Sequence, residues 1–197
     1  MLLRGASGTG KSSLLHLMAG LMPPTEGEIH LGDQALSSLS DKEQSALRRT
    51  HLGLIFQKLN LLSHLTVAEN VQLSLPSQNR NKNESSKRVA QALARVNIAE
   101  LSHTRASVLS GGEQQRVAVA RVLAQSPSII LADEPTSSLD DENATFVIEA
   151  LKSAAQGKTL FVVSHDDRLK SAFKDIRTLE SLIAGGLNPN PSDRSAR

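Results

Sequence analysis

Residues 1–20 read MLLRGASGTGKSSLLHLMAG, and the stretch GASGTGKSS at 5–13 decides the fold. Gly5, Gly10, Lys11 and Ser12 fit the spacing G-x-x-x-x-G-K-[ST]. Glycine lets the backbone turn tightly and lie against an anion. Successive N–H groups across Ala6, Ser7, Gly8, Thr9 and Gly10 then point inward at phosphate oxygens. Apolar residues recur at Leu14, Leu15, Leu17, Met18 and Leu21, a helical spacing, and a helix starting near Lys11 aims its positive end at the same anion. The Lys11 ammonium is expected on the β and γ phosphates, and the Ser12 hydroxyl on Mg²⁺. The plain alternative is a glycine-rich turn before a core helix. Leu2-Leu3 in front, reading as the end of a buried strand, favours the phosphate cradle.

Composition bounds the rest. At 197 residues the chain has one-domain length, enough for one substantial core. Apolar residues make up 39%, but there are four Phe and no Tyr or Trp, so the core is aliphatic and stacking on a base falls to Phe or His. With no Cys, disulfides and thiolate metal sites are excluded. The net charge of +2 says little about partners, and no basic patch with interleaved aromatics marks nucleic-acid binding. No apolar run approaches the roughly 20 residues of a membrane span, and no signal peptide is visible. The expectation is a soluble chain that meets a membrane only through a partner.

Along the chain, the first helix is expected to stop at Pro23-Pro24. GEIHLG (27–32) reads as a short strand, 41–49 as a helix and HLGLIFQ (51–57) as a strand. Residues 58–107 differ: polar and helical, with Val89, Leu93 and Val96 on one face, they read as an inserted group of helices. Within that insert SQNRNKNESS (77–86) reads as a solvated loop. Strands and helices then alternate again: helix 110–125, strand SIILAD (128–133), helix 141–155, strand TLFVVS (159–164) and a last strand DIRTLES (175–181). The end, 182–197, has no pattern and is expected to be disordered. Apolar strands alternating with helices mean an α/β fold, a mostly parallel sheet covered on both faces.

Strands of such a sheet end on the edge that carries the phosphate loop. SIILADEP (128–135) therefore brings two carboxylates there. Asp133 suits Mg²⁺, an oxygen-seeking ion that keeps several waters, and Glu134 suits a base taking a proton from attacking water. Two solvated acids before Pro135 is the plainer reading, weakened by the neighbouring phosphate loop. TLFVVSHDD (159–167) ends in His165, placed to hydrogen-bond a γ phosphate; metal ligation lacks a partner of suitable spacing. Gln57 closes another strand as a neutral amide able to touch Mg²⁺ or orient water.

LSGGEQQRVAVARVLA (109–124) contains a second glycine pair at a helix start, Gly111-Gly112, with Ser110 as cap. One nucleotide needs only one cradle. This stretch resembles the signature motif of the ABC ATPases, and other motifs follow in the family's order: Walker A at Gly5–Ser12, the Q-loop at Gln57, the signature at Leu109–Gln114, Walker B at Ile129–Asp133 with Glu134, the D-loop Ser138-Leu139-Asp140, and the switch His165. The resemblance spans about residues 3 to 180 and implies a P-loop NTPase fold with a small helical subdomain at 58–107 that docks on a transporter's membrane part. It implies ATP and Mg²⁺ as ligands, with Ser13 (where Thr is usual), Gln114 and Asp140 added to the nucleotide-binding set, and Ser12, Gln57 and Asp133 around the metal. It further implies a head-to-tail pair of nucleotide domains, in which Ser110 and Gly112 serve the partner's ATP, and membrane permease subunits on the inner face of the cell membrane.

QKLNLLSHLTVAENV (57–71) and GGEQQRVAVAR (111–121) resemble the lipoprotein-release, macrolide-export and cell-division subgroup; the polar amino-acid importers are similar over the same stretches, and PTSSLD (135–140) fits either. Soluble family members acting on DNA or ribosomes usually carry long coiled coils or two nucleotide domains, which this sequence lacks. The family also places an antiparallel strand segment with an adenine-stacking aromatic before Walker A, whereas here Gly5 follows Met1 by four residues. The expectation is that Met1 is a mis-assigned start or that the chain is a fragment. Loss of the stacking contact, about 1–3 kcal/mol, weakens ATP binding roughly ten- to a hundredfold, which keeps a non-hydrolysing remnant open as an alternative.

Overall fold

The computed structural model describes residues 1–6, 8–75 and 81–184. Its centre is a five-stranded sheet of β1 (Leu2–Arg4), β4 (Leu52–Ile55), β5 (Ile129–Asp133), β6 (Thr159–Val163) and β7 (Ile176–Thr178), in the order β4-β5-β6-β1-β7. Every pairing in it is parallel. β2 (His30–Leu31) and β3 (Gln34–Ala35) form a separate antiparallel hairpin.

Strand side chains alternate between two apolar layers, as the period of two requires. Leu2, Ile55, Ile130, Ala132 and Val162 face a core shared with α5 (Gly111–Gln125) and α6 (Asp141–Ala154). Leu3, Leu52, Leu131, Phe161 and Val163 face a second core with Leu15 of α1 (Lys11–Met18) and Leu182 of α7 (Leu179–Ala184). Both faces are covered, which is why these strands read as continuous apolar runs. Gly53 marks where a helix comes closest: a Cβ there would lie 2.6 Å from side-chain carbons of both Val122 and Pro127.

The insert folds as α3 (Val67–Gln72) and α4 (Lys82–Arg95) packed on α5, with Val89, Leu93 and Val96 buried. Its apolar residues join the first core instead of forming one of their own. α2 (Asp41–His51) lies beside β4.

Several boundaries differ from expectation. α1 ends at Met18, well before the prolines, because Gly20 takes a left-handed conformation (φ 62°); its N–H bonds Leu17 O at 2.9 Å and the next N–H bonds His16 O at 2.9 Å. Those two bonds complete a helix-ending motif before any proline is reached. Residues 81–86 are not loop: Asn81 caps α4, its side chain accepting from the Asn83 amide at 3.0 Å, while 76–80 lie outside the described residues. The last strand stops at Thr178 and turns into α7, so the boundary expected after 181 falls inside a helix with Leu182 buried. Residues 185–197 and the tail reading made of them lie outside the description, as does Ser7.

Candidate functional site

Register brings the chemistry to one edge. Leu3 pairs with Val163, and Asp133 pairs with Val163, so the residues after β1, β5 and β6 emerge in one row. Backbone bonds fix that row: the Glu134 amide donates to Val163 O at 2.8 Å and the Ser164 amide to Leu3 O at 3.1 Å. A cleft of about 570 Å³ opens there, lined by Gly5, Ala6, Gly8, Gly10, Lys11, Ser12 and Ser13 from the phosphate loop. Gln57, Asp133, Glu134, Ser137, Val163 and His165 complete it.

The start of α1 is open. Its N-cap is Gly10, left-handed at φ 94°, with no capping side chain and no acid in the first turn. The first N–H groups of a helix have no internal acceptor, so here they face the cleft uncapped. By contrast α2, α3 and α5 each begin with a full capping box, Ser40 with Glu43, Thr66 with Glu69 and Ser110 with Glu113. Lys11 is buried, its ammonium folded onto Ala6 O at 2.5 Å and Thr9 Oγ at 3.3 Å; Thr9 Oγ also donates to Ala6 O at 3.0 Å. A cation thus sits in the middle of the uncapped loop.

Across the cleft, Glu134 is only 8% exposed and its carboxylate is held by three contacts. Ser164 Oγ donates to one oxygen at 2.6 Å; the other accepts the His165 backbone N–H at 3.1 Å and meets His165 Nδ1 at 2.7 Å. The Glu134 backbone is left-handed (φ 51°), an uncommon conformation for a residue with a Cβ. Asp133, at 4% exposure, is the second buried acid of this cleft. Gln57 is exposed at the cleft mouth.

The signature residues are not part of this cleft. Ser110 and Gly111 are exposed, Gly112 and Gln114 half-buried. Ser110 Oγ donates to Glu113 Oε2 at 2.8 Å, and the Ser110 amide donates to the same oxygen at 2.7 Å. These contacts hold the Glu113 carboxyl below its usual range, the backbone bond most of all. The second glycine pair is therefore capped by its own chain, leaving the Gly111 and Gly112 amides as the donors without an intrahelical acceptor. Gln114 turns back to Leu109 O at 3.0 Å. Asp140 caps α6, accepting from the Asn143 amide at 2.8 Å, which lowers its pKa. A Cβ on Gly112 would lie 3.3 Å from Ser138 O, so the signature and the Ser138–Asp140 loop touch within one chain.

The sequence reading missed Ser164, whose hydroxyl grips Glu134, and Arg168, which binds Asp166. Both lie in VVSHDDRL; the first was legible as a hydroxyl beside His165, the second only from its tertiary partners.

Comparison with known proteins agrees with this geometry. Residues 1–137 match the ABC transporter family. The lipoprotein-releasing system ATP-binding protein LolD of Psychrobacter arcticus is 44% identical over 171 residues, covering 84% of this chain and 74% of its own length. The macrolide export ATP-binding/permease protein MacB of Burkholderia thailandensis is 36% identical over 98% of this chain but only 30% of its own. The ATP-binding cassette MJ0796 of Methanocaldococcus jannaschii, solved as a dimer bound to ADP and Pi, superposes with a TM-score of 0.85 at 37% identity, over 90% of this chain and 79% of that one. Among the described residues no helix is long and apolar enough to cross a membrane. The uncapped phosphate loop, the buried acids opposite it and these similarities have one reading: the chain belongs to the ABC transporter family, as one of its ATP-binding ATPase cassettes.

Proposed function

We propose that this chain is the ATP-hydrolysing subunit of a transporter whose channel lies in separate membrane subunits, and that two copies pair head to tail around two ATP molecules. The observation that carries the reading is the split of the two cradles. Lys11, Asp133, Glu134 and His165 line one cleft, while Ser110–Gln114 lie outside it and stay exposed or half-buried. A signature that cannot serve its own cleft is accounted for if it serves a partner's, and the dimeric MJ0796 supports that. Such isologous pairing closes with two-fold symmetry.

In this mechanism the α1 amides and Lys11 hold the β and γ phosphates. Glu134 takes the proton of the attacking water, and His165 leaves its contact with Glu134 to steady charge on the γ phosphate. Catalysis of this kind is mostly positioning and electrostatics. Ser12, Gln57 and Asp133 offer a hydroxyl, an amide oxygen and one buried carboxylate in a single cleft, with no cluster of three acid or histidine donors among the described residues. That set fits Mg²⁺, which takes few protein ligands and completes its shell with phosphate and water; when bound it neutralises phosphate charge. Ser13 stands at the cleft wall beside Ser12, and Gly112, Gln114 and Asp140 would meet the partner's nucleotide.

The similarity to LolD and MacB favours export of a lipoprotein or drug-like molecule, with the protein peripheral on the inner face of the cell membrane. The polar amino-acid importers are the second reading for cargo. The test is association: the Glu134→Gln chain with MgATP, followed by sedimentation or light scattering. A dimer that forms only with MgATP is expected, and a species that stays monomeric at saturating nucleotide overturns the head-to-tail reading.

A further inference from the structure

Two loops leave the sheet side by side. One runs from Glu134 to Asp141 after β5 and carries Ser138-Leu139-Asp140; the other runs from Ser164 to Arg168 after β6 and carries His165. Arg168 crosses between them. Its Nε and Nη2 reach Asp166 at 3.0 and 2.7 Å, a planar fork on a carboxylate that is 9% exposed. Its two terminal nitrogens also donate to the first loop, Nη1 to Leu139 O at 3.0 Å and Nη2 to Thr136 O at 3.1 Å, with Asp141 a further partner of Nη1 at 2.9 Å. Thr136, fully buried, closes the ring by donating its hydroxyl to Asp166 at 2.5 Å.

From this ring a short path leads to the cleft. The Asp166 amide donates to Ser164 Oγ at 3.1 Å, and Ser164 Oγ donates to Glu134 Oε2 at 2.6 Å. On the other side Gly112 packs against Ser138 O and Leu139. The Ser138–Asp140 loop is thus held between the signature helix and Arg168, and Arg168 is joined through Asp166 and Ser164 to the buried carboxylate. Carbonyl groups accept from a guanidinium only where its fixed fork points, so a lysine cannot replace it: one ammonium does not span Asp166, Thr136 O and Leu139 O together.

We propose that Arg168 is a positioning residue for hydrolysis: it locks the 136–141 loop to the 164–168 loop, so that any shift of the first loop against a second copy of this chain moves Glu134 and His165. This rests on the roles proposed above for Glu134 and His165. The lock acts on the step that needs the carboxylate in place, and leaves Lys11 and the uncapped α1 start, which bind the nucleotide, untouched. A misplacement of about 1 Å at such a site costs up to roughly a hundredfold in rate.

The experiment compares the parent chain with Arg168→Lys and Arg168→Met in steady-state ATP hydrolysis and in amide hydrogen exchange. Both variants are expected to lose about ten- to a hundredfold in kcat while KM for ATP stays within about twofold. Exchange is expected to rise together in 134–141 and 164–170, with the rest of the sheet protected as in the parent. If Arg168→Lys matches the parent in kcat, the positioning role is wrong. It is also wrong if exchange rises only in 164–170, or if KM rises and the melting temperature falls along with the loss of kcat, since a plain fold defect does that. A parent chain with no turnover at all removes the hydrolysis reading instead, and the exchange of the two loops then decides the lock alone.

Discussion

Replacing Glu134 by Gln separates the base from the shape of the site. The carboxylate accepts from Ser164 Oγ at 2.6 Å and from the His165 backbone at 3.1 Å, and meets the His165 ring at 2.7 Å. Glutamine has the same outline and one carbonyl oxygen, which can keep both His165 contacts. Its amide then faces Ser164 Oγ, which already accepts from the Asp166 amide but has a second lone pair free to accept from the new N–H. The structural cost is therefore about one hydrogen bond, on the order of 1 kcal/mol, against a usual stability of roughly 5–15 kcal/mol. The chemical cost is larger. A positioned base contributes about 10²–10⁴ in rate, or roughly 2.7–5.4 kcal/mol of barrier. The variant is expected to melt close to the parent and to bind ATP, with phosphate release down by that factor in a coupled phosphate assay. Hydrolysis within about threefold of the parent, in a folded sample, refutes the assignment of Glu134 as base.

Lys11→Ala should remove a charge-assisted contact with phosphate of about 1.5–3 kcal/mol, weakening nucleotide binding roughly ten- to a hundredfold by titration. Its melting temperature should hold, since among the described residues the ammonium's hydrogen bonds go to Ala6 O and Thr9 Oγ of its own loop. Gly53→Ala places a methyl 2.6 Å from Val122 and Pro127. Overpacking of about 1–3 kcal/mol lowers the melting temperature by roughly 2–12 °C in a thermal scan, with nucleotide affinity unchanged. Burial alone would raise the Asp166 pKa, but hydrogen bonds from Arg168 and Thr136 outweigh it and hold the carboxyl at about 2, below its ordinary 3.8. A depressed acid stabilises above its unfolded pKa and loses that contribution as pH falls through the folded one. Asp166→Asn should therefore flatten the part of the stability curve between about pH 4 and pH 2, as read by denaturant titration at several pH values.

The phosphate loop, the acidic strand end and the glycine pair at 111–112 were legible because each is a local device. A glycine spacing, an apolar run ending in carboxylates and a capped helix start show their chemistry within a dozen residues. The parallel sheet followed from strands with no polar alternation, and it holds. Local pattern misled where a tertiary or backbone detail outranked it. Gly20 ended α1 before the prolines, and Asn81 capped a helix within a polar run that read as loop. DIRTLES looked like one strand, but after Thr178 the chain gains more by burying Leu182 beneath the sheet than by extending an exposed edge.

What the sequence by itself determined is the chemistry at hand: a glycine-rich loop with a lysine, two acids, an imidazole and a second glycine pair at a helix start. Only the tertiary structure decided their arrangement. Register in the parallel sheet set Glu134 beside Ser164 and His165, residues about thirty positions apart. The packing of α5 left Ser110 outside that cleft, and the Arg168 side chain bridged the two loops that follow β5 and β6. Hydrogen bonds between strands act across the chain, where no spacing along the sequence records them, and so contacts of that kind are visible only once the sheet has formed.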